Sequence, residues 1–485
     1  MTSMGLGDGA HWLNPKVLTE RVANEQSRLL KQGASDTRYA LIADNGIPWV
    51  ITDLALAEIG RLNVPIPGYF SQAQTQHVLR DAGIDVVLTD DPARMLREQP
   101  NWRCTDRSDI SGLYFFERLI DEQNRITLPL GTTKVTYTSG STGEPKGVCL
   151  DALSLKTVAK SLADVVRPLD ASRHLCLLPL ATLLDNLATT LVAPLLEAES
   201  LVPSLKETGI RYGGVDVPAL LACISRHEPH SLVLVPELLR ILLAAIDQGW
   251  SAPKSLRFIA VGGASVSSQL LEQAESAGLP VFEGYGLSEC ASVVSLNRPG
   301  QTKFGTAGKP LPHTRVRIDA QGEIHVSGAT MLGYLGSPSE DKEIATGDLG
   351  HFDEDGYLHI VGRAKNTLIT SLGRNISPEW IERELLACPE IAQAVVVGEG
   401  RPFVSTLLQP SHAGVTSAAL TAAVTRVNRR LPDYARIGAW RQPDTPFSAA
   451  NGLLTANGRP RRALIAERHS ALIADIYVEF IKEVS

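Results

Sequence analysis

Several features that mark particular protein classes are missing from this sequence of 485 residues. Its six cysteines lie far apart and no Cys-x-x-Cys pair occurs, which argues against a zinc ribbon and against a disulfide framework. There is no long basic run, and the net charge is −7, so no nucleic-acid partner is indicated. The first residues lack the basic start and apolar centre of a secretory signal peptide. We therefore expect a cytoplasmic protein with reduced cysteines.

Long uninterrupted apolar runs are missing as well. Residues 175–196 form the most apolar stretch, but Asp185 and Asn186 interrupt it, so we predict a buried helix and no transmembrane segment. Hydrophobic residues make up 44% of the chain and charged residues 20%, which is typical of globular proteins with large cores. A chain of this length is expected to form two to four domains.

Before residue 300, short apolar runs alternate with helical patterns. An amphipathic helical pattern covers residues 49–62, and another helix is expected from Pro236. Strand–helix alternation of this kind predicts an α/β fold, with mostly parallel sheets layered against helices. The strands that we predict in this part are residues 39–43, 86–89, 232–235 and 258–261.

The pattern changes after residue 300. Two hairpins with glycine-ended turns, at residues 319–322 and 353–356, predict a small β-subdomain. A smaller α+β unit follows, with a helix expected at residues 378–386 and strands at 394–397 and 405–409. We predict three parts: a large N-terminal domain over residues 1–362, a hinge over 363–366, and a small mobile C-terminal domain over 367–485.

The most informative stretch is residues 137–147, which read Tyr-Thr-Ser-Gly-Ser-Thr-Gly-Glu-Pro-Lys-Gly. Glycines let the backbone approach a ligand, N–H groups and hydroxyls can face phosphate oxygens, and the lysine supplies positive charge. The Gly-Lys-Ser/Thr ending of a Walker A loop is absent. A flexible Gly/Ser turn is the alternative, although such a turn does not need the Pro-Lys-Gly ending. The candidate phosphate-binding residues are Thr138, Ser139, Gly140, Ser141, Thr142, Gly143 and Lys146.

Three further clusters follow along the chain. Residues 262–264 come after a predicted strand, where paired glycines let a flat ligand lie against the backbone. Residues 283–289 place a tyrosine between glycines, followed by a hydroxyl and a carboxylate that suit a phosphate and Mg²⁺. Asp348 can accept hydrogen bonds from vicinal ribose hydroxyls. Each cluster alone is equally explained by a turn; the candidate residues are Gly262, Gly263, Ala264, Glu283, Gly284, Tyr285, Ser288, Glu289 and Asp348.

Together and in this order, the four motifs resemble the adenylate-forming superfamily, and most of all its fatty acyl-CoA synthetases. That superfamily also holds luciferases and peptide-synthetase adenylation domains, and the resemblance covers about residues 38–465. It implies that the loop ending in Lys146 binds the β- and γ-phosphates of ATP. It further implies that the Tyr285 ring lies on adenine, that Ser288 lies near the α-phosphate, and that Glu289 and Thr138 hold Mg²⁺.

The resemblance also assigns roles after residue 340. Asp348 would bind the ribose with Arg363 nearby, and Lys365 would lie at the hinge. The turn at Gly373 would line a pantetheine tunnel after the small domain rotates. The implied cofactors are therefore ATP, Mg²⁺ and coenzyme A, or carrier-protein pantetheine in place of coenzyme A.

The implied chemistry has two steps. A carboxylate attacks the α-phosphorus of ATP to give an acyl adenylate and pyrophosphate, and a thiol then displaces AMP. Mg²⁺ and cationic side chains neutralise the charge that develops on the phosphates. No residue of the chain has to act as a covalent nucleophile, so we expect the cysteines to be structural.

One motif departs from the superfamily pattern. Residues 453–462 match the last motif, which normally carries a lysine for adenylation, but Arg459 stands at that position. Arginine remains charged, yet its group is planar and bulkier than an ammonium. Three interpretations stay open at this point. Arg459 does the lysine's work, Arg461 or another cation replaces it, or adenylation is impaired and the chain is specialised for another step.

The acid is only coarsely indicated. Thr182 stands where many relatives have a histidine near the acyl pocket, and the segments expected to line it, residues 183–187 and 235–239, are mostly apolar. The matching segment offers no clear carboxylate for the amine of an amino acid, because Glu237 opens a helix, where carboxylates are common. We predict an apolar or fatty acid transferred to coenzyme A. The alternatives are a carrier protein, amine or other acceptor, and a binding protein with little turnover.

Overall fold

The computed structural model describes residues 4–119, 125–138, 145–211, 214–339, 341–371, 373–455 and 458–484. In these ranges the large domain contains two nine-stranded sheets and a four-stranded sheet, and the small domain has a three-stranded sheet. No helix in the described ranges has the length and apolar character needed to cross a membrane.

The first nine-stranded sheet, called the N-terminal sheet, has parallel strands at its centre and antiparallel strands at both edges. This differs from the mostly parallel sheet predicted, because short connections allow the edge strands to return as hairpins. Its strands in spatial order are Ser337–Pro338, Gly333–Tyr334, Lys146–Asp151, Thr132–Thr138, Leu62–Pro65, Arg38–Ile42, Val86–Thr89, Tyr114–Arg118 and Trp102–Arg107.

The second nine-stranded sheet, called the central sheet, is parallel over six neighbouring strands and antiparallel at both ends. The expected strands at 232–235 and 258–261 lie side by side in it. Its strands in spatial order are Lys309–Pro310, Ser295–Leu296, Val281–Tyr285, Phe258–Val261, Ser231–Leu234, Arg173–Leu175, Glu199–Leu201, Leu6–Gly7 and Trp12–Leu13.

The helix Ile47–Glu58 contributes to a core that contains side chains from both nine-stranded sheets. Trp49, Val50 and Ile51 are all fully buried, so the helix is covered around its circumference and not on one face as an amphipathic pattern would predict. A buried polar network joins the same region. Lys134 donates to Asp53 at 2.9 Å and to Asn186 at 2.6 Å.

Residues 175–196 do not form the single helix predicted. The strand Arg173–Leu175 ends there, and a helix begins only at Leu183 and continues through a π-helical turn, Ala188–Val192. The Asp185 carboxylate is fully buried and accepts hydrogen bonds from the backbone N–H groups of Leu177 and Leu178. These bonds hold the chain in a loop before the helix, which an apolarity pattern does not reveal.

Most of the large-domain helices begin where a short polar side chain can cap them. Ser71 and Gln74 form a reciprocal capping box, and Asn14, Asp91 and Asp216 each accept a backbone N–H of the first turn. The helices are Pro15–Gln32, Ile47–Glu58, Gln72–Asp81, Pro92–Glu98, Ala152–Val166, Leu183–Leu187, Ala193–Leu195, Val217–His227, Pro236–Asp247 and Ser268–Ser276, with 3-10 turns at Arg167–Leu169 and Ser288–Cys290.

The four-stranded sheet contains the two hairpins expected after residue 300, with strands Thr314–Ile318, Glu323–Gly328, Glu343–Phe352 and Leu358–Arg363. The last of these leads into the 3-10 turn Ala364–Asn366. A separate two-stranded ribbon is formed by Ile210–Arg211 and Gly214–Val215.

The small domain packs helices against its three-stranded sheet. Proline at the first turn of Pro378–Leu386 fixes the start of that helix where the sequence predicted it. The strands of this sheet are Ile391–Val397, Val404–Pro410 and Ile437–Arg441, and Leu368–Ile369 pairs separately with Asn375–Ile376. The helices are Pro378–Leu386, Ser417–Asn428, Arg462–Arg468 and Ser470–Val484, with a 3-10 turn at Asp433–Ala435.

Candidate active site

The candidate ribose-binding residues are joined directly. The Tyr285 hydroxyl donates to Asp348 Oδ2 at 2.7 Å, and Arg363 Nε lies 2.7 Å from Asp348 Oδ1. Asp348 and Arg363 are paired residues of neighbouring strands, so the backbone register sets this ion pair. Burial raises the pKa of Asp348, while Arg363, the Tyr285 hydroxyl and Arg459 oppose that effect. The structure thus joins Asp348 to Arg363, which the resemblance placed nearby, and to Tyr285, which the resemblance placed on adenine.

The two glycine-containing segments lie on neighbouring parallel strands, Phe258–Val261 and Val281–Tyr285. Gly262 donates to the Leu234 carbonyl, and Gly263 has a φ of 82°, which favours glycine. A side chain at Gly286 is sterically excluded, because its Cβ would lie 1.7 Å from the Ser292 carbonyl oxygen. At Gly286 two segments of backbone therefore pack directly against each other, which requires a residue without a side chain.

Glu283 supports this segment from the inside. Its carboxylate accepts the Val266 N–H at 3.0 Å, and its other oxygen has no partner among the described residues. Burial raises the pKa of Glu283 to about 7, and the charge of Arg383 on the small domain opposes that effect. The carboxyl group can therefore change its protonation state near neutral pH.

The phosphate loop is described only at its two ends. Thr138 pairs with Lys146 across the antiparallel strands that flank the loop, so the two ends are close together. The predicted residues Ser139, Gly140, Ser141, Thr142 and Gly143 lie outside the described residues.

Both ends of the loop contact the helix Gln72–Asp81. The Tyr137 hydroxyl donates to Asp81 at 2.7 Å, and a His77 ring nitrogen lies 3.2 Å from the Pro145 carbonyl. His77 and Asp81 are four residues apart and so share one helix face. Neither residue was among the candidates named from the sequence, because no local sequence motif links this helix to the loop.

Glu289 and Lys146 contact the same tyrosine. The Tyr334 hydroxyl donates to Glu289 Oε1 at 2.9 Å, and Lys146 Nζ lies 5.6 Å from the centre of the Tyr334 ring. Ser288 begins the 3-10 turn that contains Glu289. Tyr334 was not among the candidates named from the sequence, because no local motif marks it.

The residues at Glu289 fit a magnesium ion that is shared with a nucleotide. One carboxylate oxygen is engaged by Tyr334, which leaves Oε2 for a metal, and Mg²⁺ in nucleotide sites takes few carboxylates together with phosphate oxygens. Elsewhere among the described residues, ligand atoms of Asp319, Glu323 and His325 also cluster. Those carboxylates already accept backbone N–H groups, Asp319 from Glu323 and Glu323 from Gly347 of the neighbouring strand, and Asp353 and His359 repeat the Asp–His contact at the next turn.

Arg459 reaches the cleft from the small domain. Its Nη2 donates to the Gly263 carbonyl, and its charge partly opposes the rise that burial causes in the pKa of Asp348. A turn fixes the backbone, because Thr455 N–H donates to the Arg459 carbonyl at 2.8 Å. By contrast, Arg462 of the same motif is paired with Glu382 inside the small domain.

Lys365 and Gly373 lie near the predicted hinge and in the small domain. Lys365 belongs to the 3-10 turn that follows Arg363, and burial together with the neighbouring Arg363 charge lowers its pKa. Gly373 has a φ of 70° and donates to the Thr370 carbonyl, which closes the turn between two short strands. In this arrangement Arg459 contacts the large domain at the Gly263 carbonyl, whereas the hydrogen bond of Gly373 joins two residues of the small domain.

The wall next to Gly262 is apolar. Leu184 Cδ2 and Val235 Cγ1 are the side-chain atoms closest to where Cβ atoms on Gly262 and Gly263 would lie. The segment before this wall is held by Asn45, which donates to the Leu178 carbonyl and accepts the Leu180 N–H. The Thr182 hydroxyl turns back to the Pro179 carbonyl at 2.6 Å, so it is already engaged in the loop.

Comparison with known proteins agrees with this geometry. The sequence profile of the AMP-binding enzyme family matches residues 7–335, and that of the AMP-binding enzyme C-terminal domain matches residues 365–481. The chain belongs to the AMP-binding enzyme family. This confirms the predicted resemblance to adenylate-forming ligases and the α/β class with a smaller C-terminal domain.

Individual relatives of this AMP-binding enzyme are similar over most of its length. A long-chain-fatty-acid–CoA ligase of Mycobacterium bovis is 27% identical and covers 91% of this chain and 88% of its own. A 2-succinylbenzoate–CoA ligase of Bacillus velezensis is 32% identical and covers 69% of this chain and 70% of its own. Both relatives are named as CoA ligases.

Solved structures extend the comparison to the fold. An O-succinylbenzoate coenzyme A synthetase from Bacillus subtilis, in complex with ATP and magnesium ion, is 25% identical with a TM-score of 0.76, over 95% of this chain and 96% of that one. An anthranilate CoA ligase in complex with anthranoyl-AMP has a TM-score of 0.80 at 18% identity, over 96% of this chain and 94% of that one. The latter likeness concerns the fold alone.

Proposed function

We propose that this chain uses Mg·ATP to convert an apolar carboxylic acid into an acyl adenylate and then transfers the acyl group to coenzyme A. The observation that carries the proposal is the meeting of Tyr285, Asp348 and Arg363 in one cleft that Arg459 enters from the other domain. A nucleotide-binding centre that is completed by a second domain suits a reaction in which ATP and acid must be held together.

Each side chain is assigned a role that follows from its position. Asp348 accepts the ribose hydroxyls, Tyr285 lies on the base, and Lys146 meets the departing phosphates. Arg459 stabilises the negative charge that develops at the α-phosphate as the carboxylate attacks, and a cation is better there than a neutral donor. Glu289, with Thr138, would hold a magnesium ion, which supplies a further positive charge to the phosphates when bound.

Arg459 is proposed to do the work of the usual lysine. The alternative in which Arg461 or another cation substitutes for it is weakened at Arg462, which pairs with Glu382 inside the small domain, while Arg461 stays a candidate. The planar guanidinium also contacts the Gly263 carbonyl, at the strand end where base and acyl group meet. Impaired adenylation remains the alternative that a rate measurement decides.

The proposed acid is apolar because the nearby carboxylates are already engaged. Asp185 accepts two backbone N–H groups and contacts His174, while Glu237 pairs with Arg240. Neither is therefore available for the amine of an amino acid. The neighbouring Leu184 and Val235 side chains suit an aliphatic or aromatic acid, and one of the two relatives described above is named for a long-chain fatty acid.

Coenzyme A is the proposed acceptor because both of those relatives are named as CoA ligases. A carrier-protein pantetheine would present the same thiol and is the second candidate acceptor. A cytoplasmic location stays a prediction from the sequence.

The test is acid-dependent exchange of pyrophosphate into ATP, with fatty acids, aromatic acids and amino acids compared at equal concentration. We expect exchange with apolar acids and thioester formation when coenzyme A is added. A matched reaction with a phosphopantetheinylated carrier protein separates the two acceptors. AMP binding without any acid-dependent exchange would instead favour a nucleotide-binding protein with little turnover.

A further inference from the structure

The segment 331–335 connects the two sides of the phosphate region. The Met331 N–H donates to the Glu289 carbonyl at 2.7 Å, and the Leu335 N–H donates to the Gly147 carbonyl at 2.8 Å. Between them, Gly333 and Tyr334 pair with the strand that begins at Lys146. The backbone of this segment is thus attached both to the Glu289 turn and to the end of the phosphate loop.

Tyr334 repeats this connection with its side chain. Its hydroxyl donates to Glu289 Oε1 at 2.9 Å, and its ring lies 5.6 Å from Lys146 Nζ. A hydrogen bond to a charged acceptor orients the carboxylate, and a cation within about 6 Å of an aromatic ring is attracted to its face. A single side chain therefore touches both the carboxylate and the ammonium group.

We propose that Tyr334 is a positioning residue that sets Glu289 and Lys146 relative to each other for Mg·ATP. Its hydroxyl holds Oε1, so that Oε2 is the carboxylate oxygen presented to the metal, and its ring holds the lysine toward the terminal phosphates. This inference rests on the proposed function, because it assigns the two partners to magnesium and to phosphate. It predicts that Tyr334 affects the metal-bound triphosphate and not the adenosine part of the ligand.

The competing explanation is that Tyr334 only packs. Its ring lies against a hydrophobic cluster of the large domain, so its removal could loosen the fold. Tyr334→Phe separates the two explanations, because phenylalanine keeps the ring and its packing but loses the hydroxyl. Tyr334→Leu also removes the ring face that Lys146 contacts.

The experiment is equilibrium titration of the full-length enzyme with Mg·ATP and, separately, with AMP in the absence of metal. For Tyr334→Phe we expect about tenfold weaker Mg·ATP binding and AMP binding within about twofold of the natural chain, since a hydrogen bond to a charged group is lost. The magnesium concentration that gives half-maximal ATP binding should rise as well. Tyr334→Leu should weaken Mg·ATP binding a further two- to fivefold.

A matched control is Tyr357→Phe. Tyr357 also lies under lysines, with Lys309 Nζ 4.7 Å and Lys303 Nζ 5.6 Å from its ring, but it belongs to a turn of the four-stranded sheet. We expect this variant to bind both ligands as the natural chain does. The proposal is overturned if Tyr334→Phe binds Mg·ATP normally, or if it loses AMP and Mg·ATP binding in equal measure.

The same titrations keep this inference distinct from the proposed function. If the natural chain binds both nucleotides but no acid supports pyrophosphate exchange, the proposed reaction fails while the Tyr334 measurement still decides the positioning role. If the natural chain binds neither nucleotide, both proposals fall. If exchange occurs and Tyr334→Phe is indistinguishable from the natural chain, only the positioning role is lost.

Discussion

The residues proposed to bind the ribose, called the ribose side, and those proposed to bind the phosphates, called the phosphate side, are held in different ways. On the ribose side, Tyr285, Asp348 and Arg363 bond to one another directly, and all three belong to strands of the large domain. Lys146 and Glu289, which are proposed for the phosphates, are instead linked by a third residue, Tyr334, whose hydroxyl donates to Glu289 and whose ring faces Lys146. Arg459, which comes from the other domain, donates to the Gly263 carbonyl, and its charge acts on the Asp348 carboxyl.

The difference separates binding from chemistry. A preformed hydrogen-bonded set costs little to organise when a nucleoside enters, so it suits a site that must recognise ATP and AMP alike. Charges delivered by separate elements can be withdrawn after the first step, when pyrophosphate leaves and a thiol must enter. We expect ribose-side changes to affect all nucleotides and phosphate-side changes to affect the rate of adenylation.

The largest expected effect is at Arg459. Arg459→Ala should lower the rate of acid-dependent pyrophosphate exchange by about 10²–10³, because one well-placed charge donor is lost at the transition state. AMP binding should change little, since Asp348 and Tyr285 remain in place. Arg459→Lys should retain exchange within about tenfold of the natural chain. Equal exchange rates for the alanine variant and the natural chain would contradict the assignment.

The next effect concerns the stability of the ribose side. The Glu283 pKa is raised from about 4.5 to about 7, so folding holds a proton that the unfolded chain releases. The stability that this proton contributes is complete below about pH 4.5 and is lost as pH rises to about 7, a loss of roughly 3 kcal/mol at 1.36 kcal/mol per pKa unit. Glu283→Gln can still accept the Val266 N–H and should abolish this dependence.

Thermal unfolding of the natural chain and of Glu283→Gln at pH 5 and pH 8 measures this pH dependence of stability. The variant should gain stability relative to the natural chain at pH 8 and show little difference at pH 5. Glu237→Gln, at an exposed carboxylate, is the matched control and should not show this gain. An equal difference between Glu283→Gln and the natural chain at both pH values would exclude a titrating Glu283.

Asp348 tests the direct contacts of the ribose side. Asp348→Asn keeps the shape but loses the charge, and its single amide oxygen can accept from Arg363 or from Tyr285 but not from both; hydrogen bonds to charged groups are worth about 1.5–3 kcal/mol. We expect ATP and AMP binding to weaken together by about 10- to 100-fold in titration calorimetry. Asp355→Asn, at an exposed turn, is the control. Weaker ATP binding with unchanged AMP binding would contradict the assignment of Asp348 to the ribose.

The smallest expected effect is at the domain contact. Arg240 of the large domain donates to the carbonyl groups of Leu386 and Ile391 in the small domain. Arg240→Ala should slow pyrophosphate exchange about two- to tenfold, because the domain that carries Arg459 is less firmly held. AMP affinity should stay unchanged, and Arg211→Ala, at an exposed ion pair, should alter neither. A larger loss of AMP binding than of exchange would argue against this role.

The sequence predicted the elements whose signals are local. Residues 86–89, 258–261 and 378–386 form the strands and the helix expected there, because buried β-branched runs and a proline at the helix start mark them without reference to other elements. The antiparallel edges of the two large sheets and the loop before Leu183 were not foreseen. The loop is held by Asn45, 133 residues before Leu178, and the pairing of Gly333–Tyr334 with Lys146–Asp151 likewise joins distant segments.

The site shows the same division. Tyr285, Asp348 and Arg363 were named from motifs, and the structure brings them into contact. Tyr334 was not named, because its contact with Lys146 arises from the pairing of Gly333–Tyr334 with a strand almost two hundred residues earlier. The roles of the residues within the phosphate loop and the bounds of the hinge stay predictions.

The buried network around Lys134 has a consequence for how this chain can change. Lys134 and Asp53 are both nearly inaccessible, and Asn63 and Asn186 complete the bonds of the carboxylate. Losing either charge alone leaves the other buried without compensation, at a cost of about 3–5 kcal/mol, whereas replacing both by apolar groups can be neutral. Substitutions at these positions are therefore expected to occur together in variants of this sequence. Single substitutions there are expected to be lost under selection for stability.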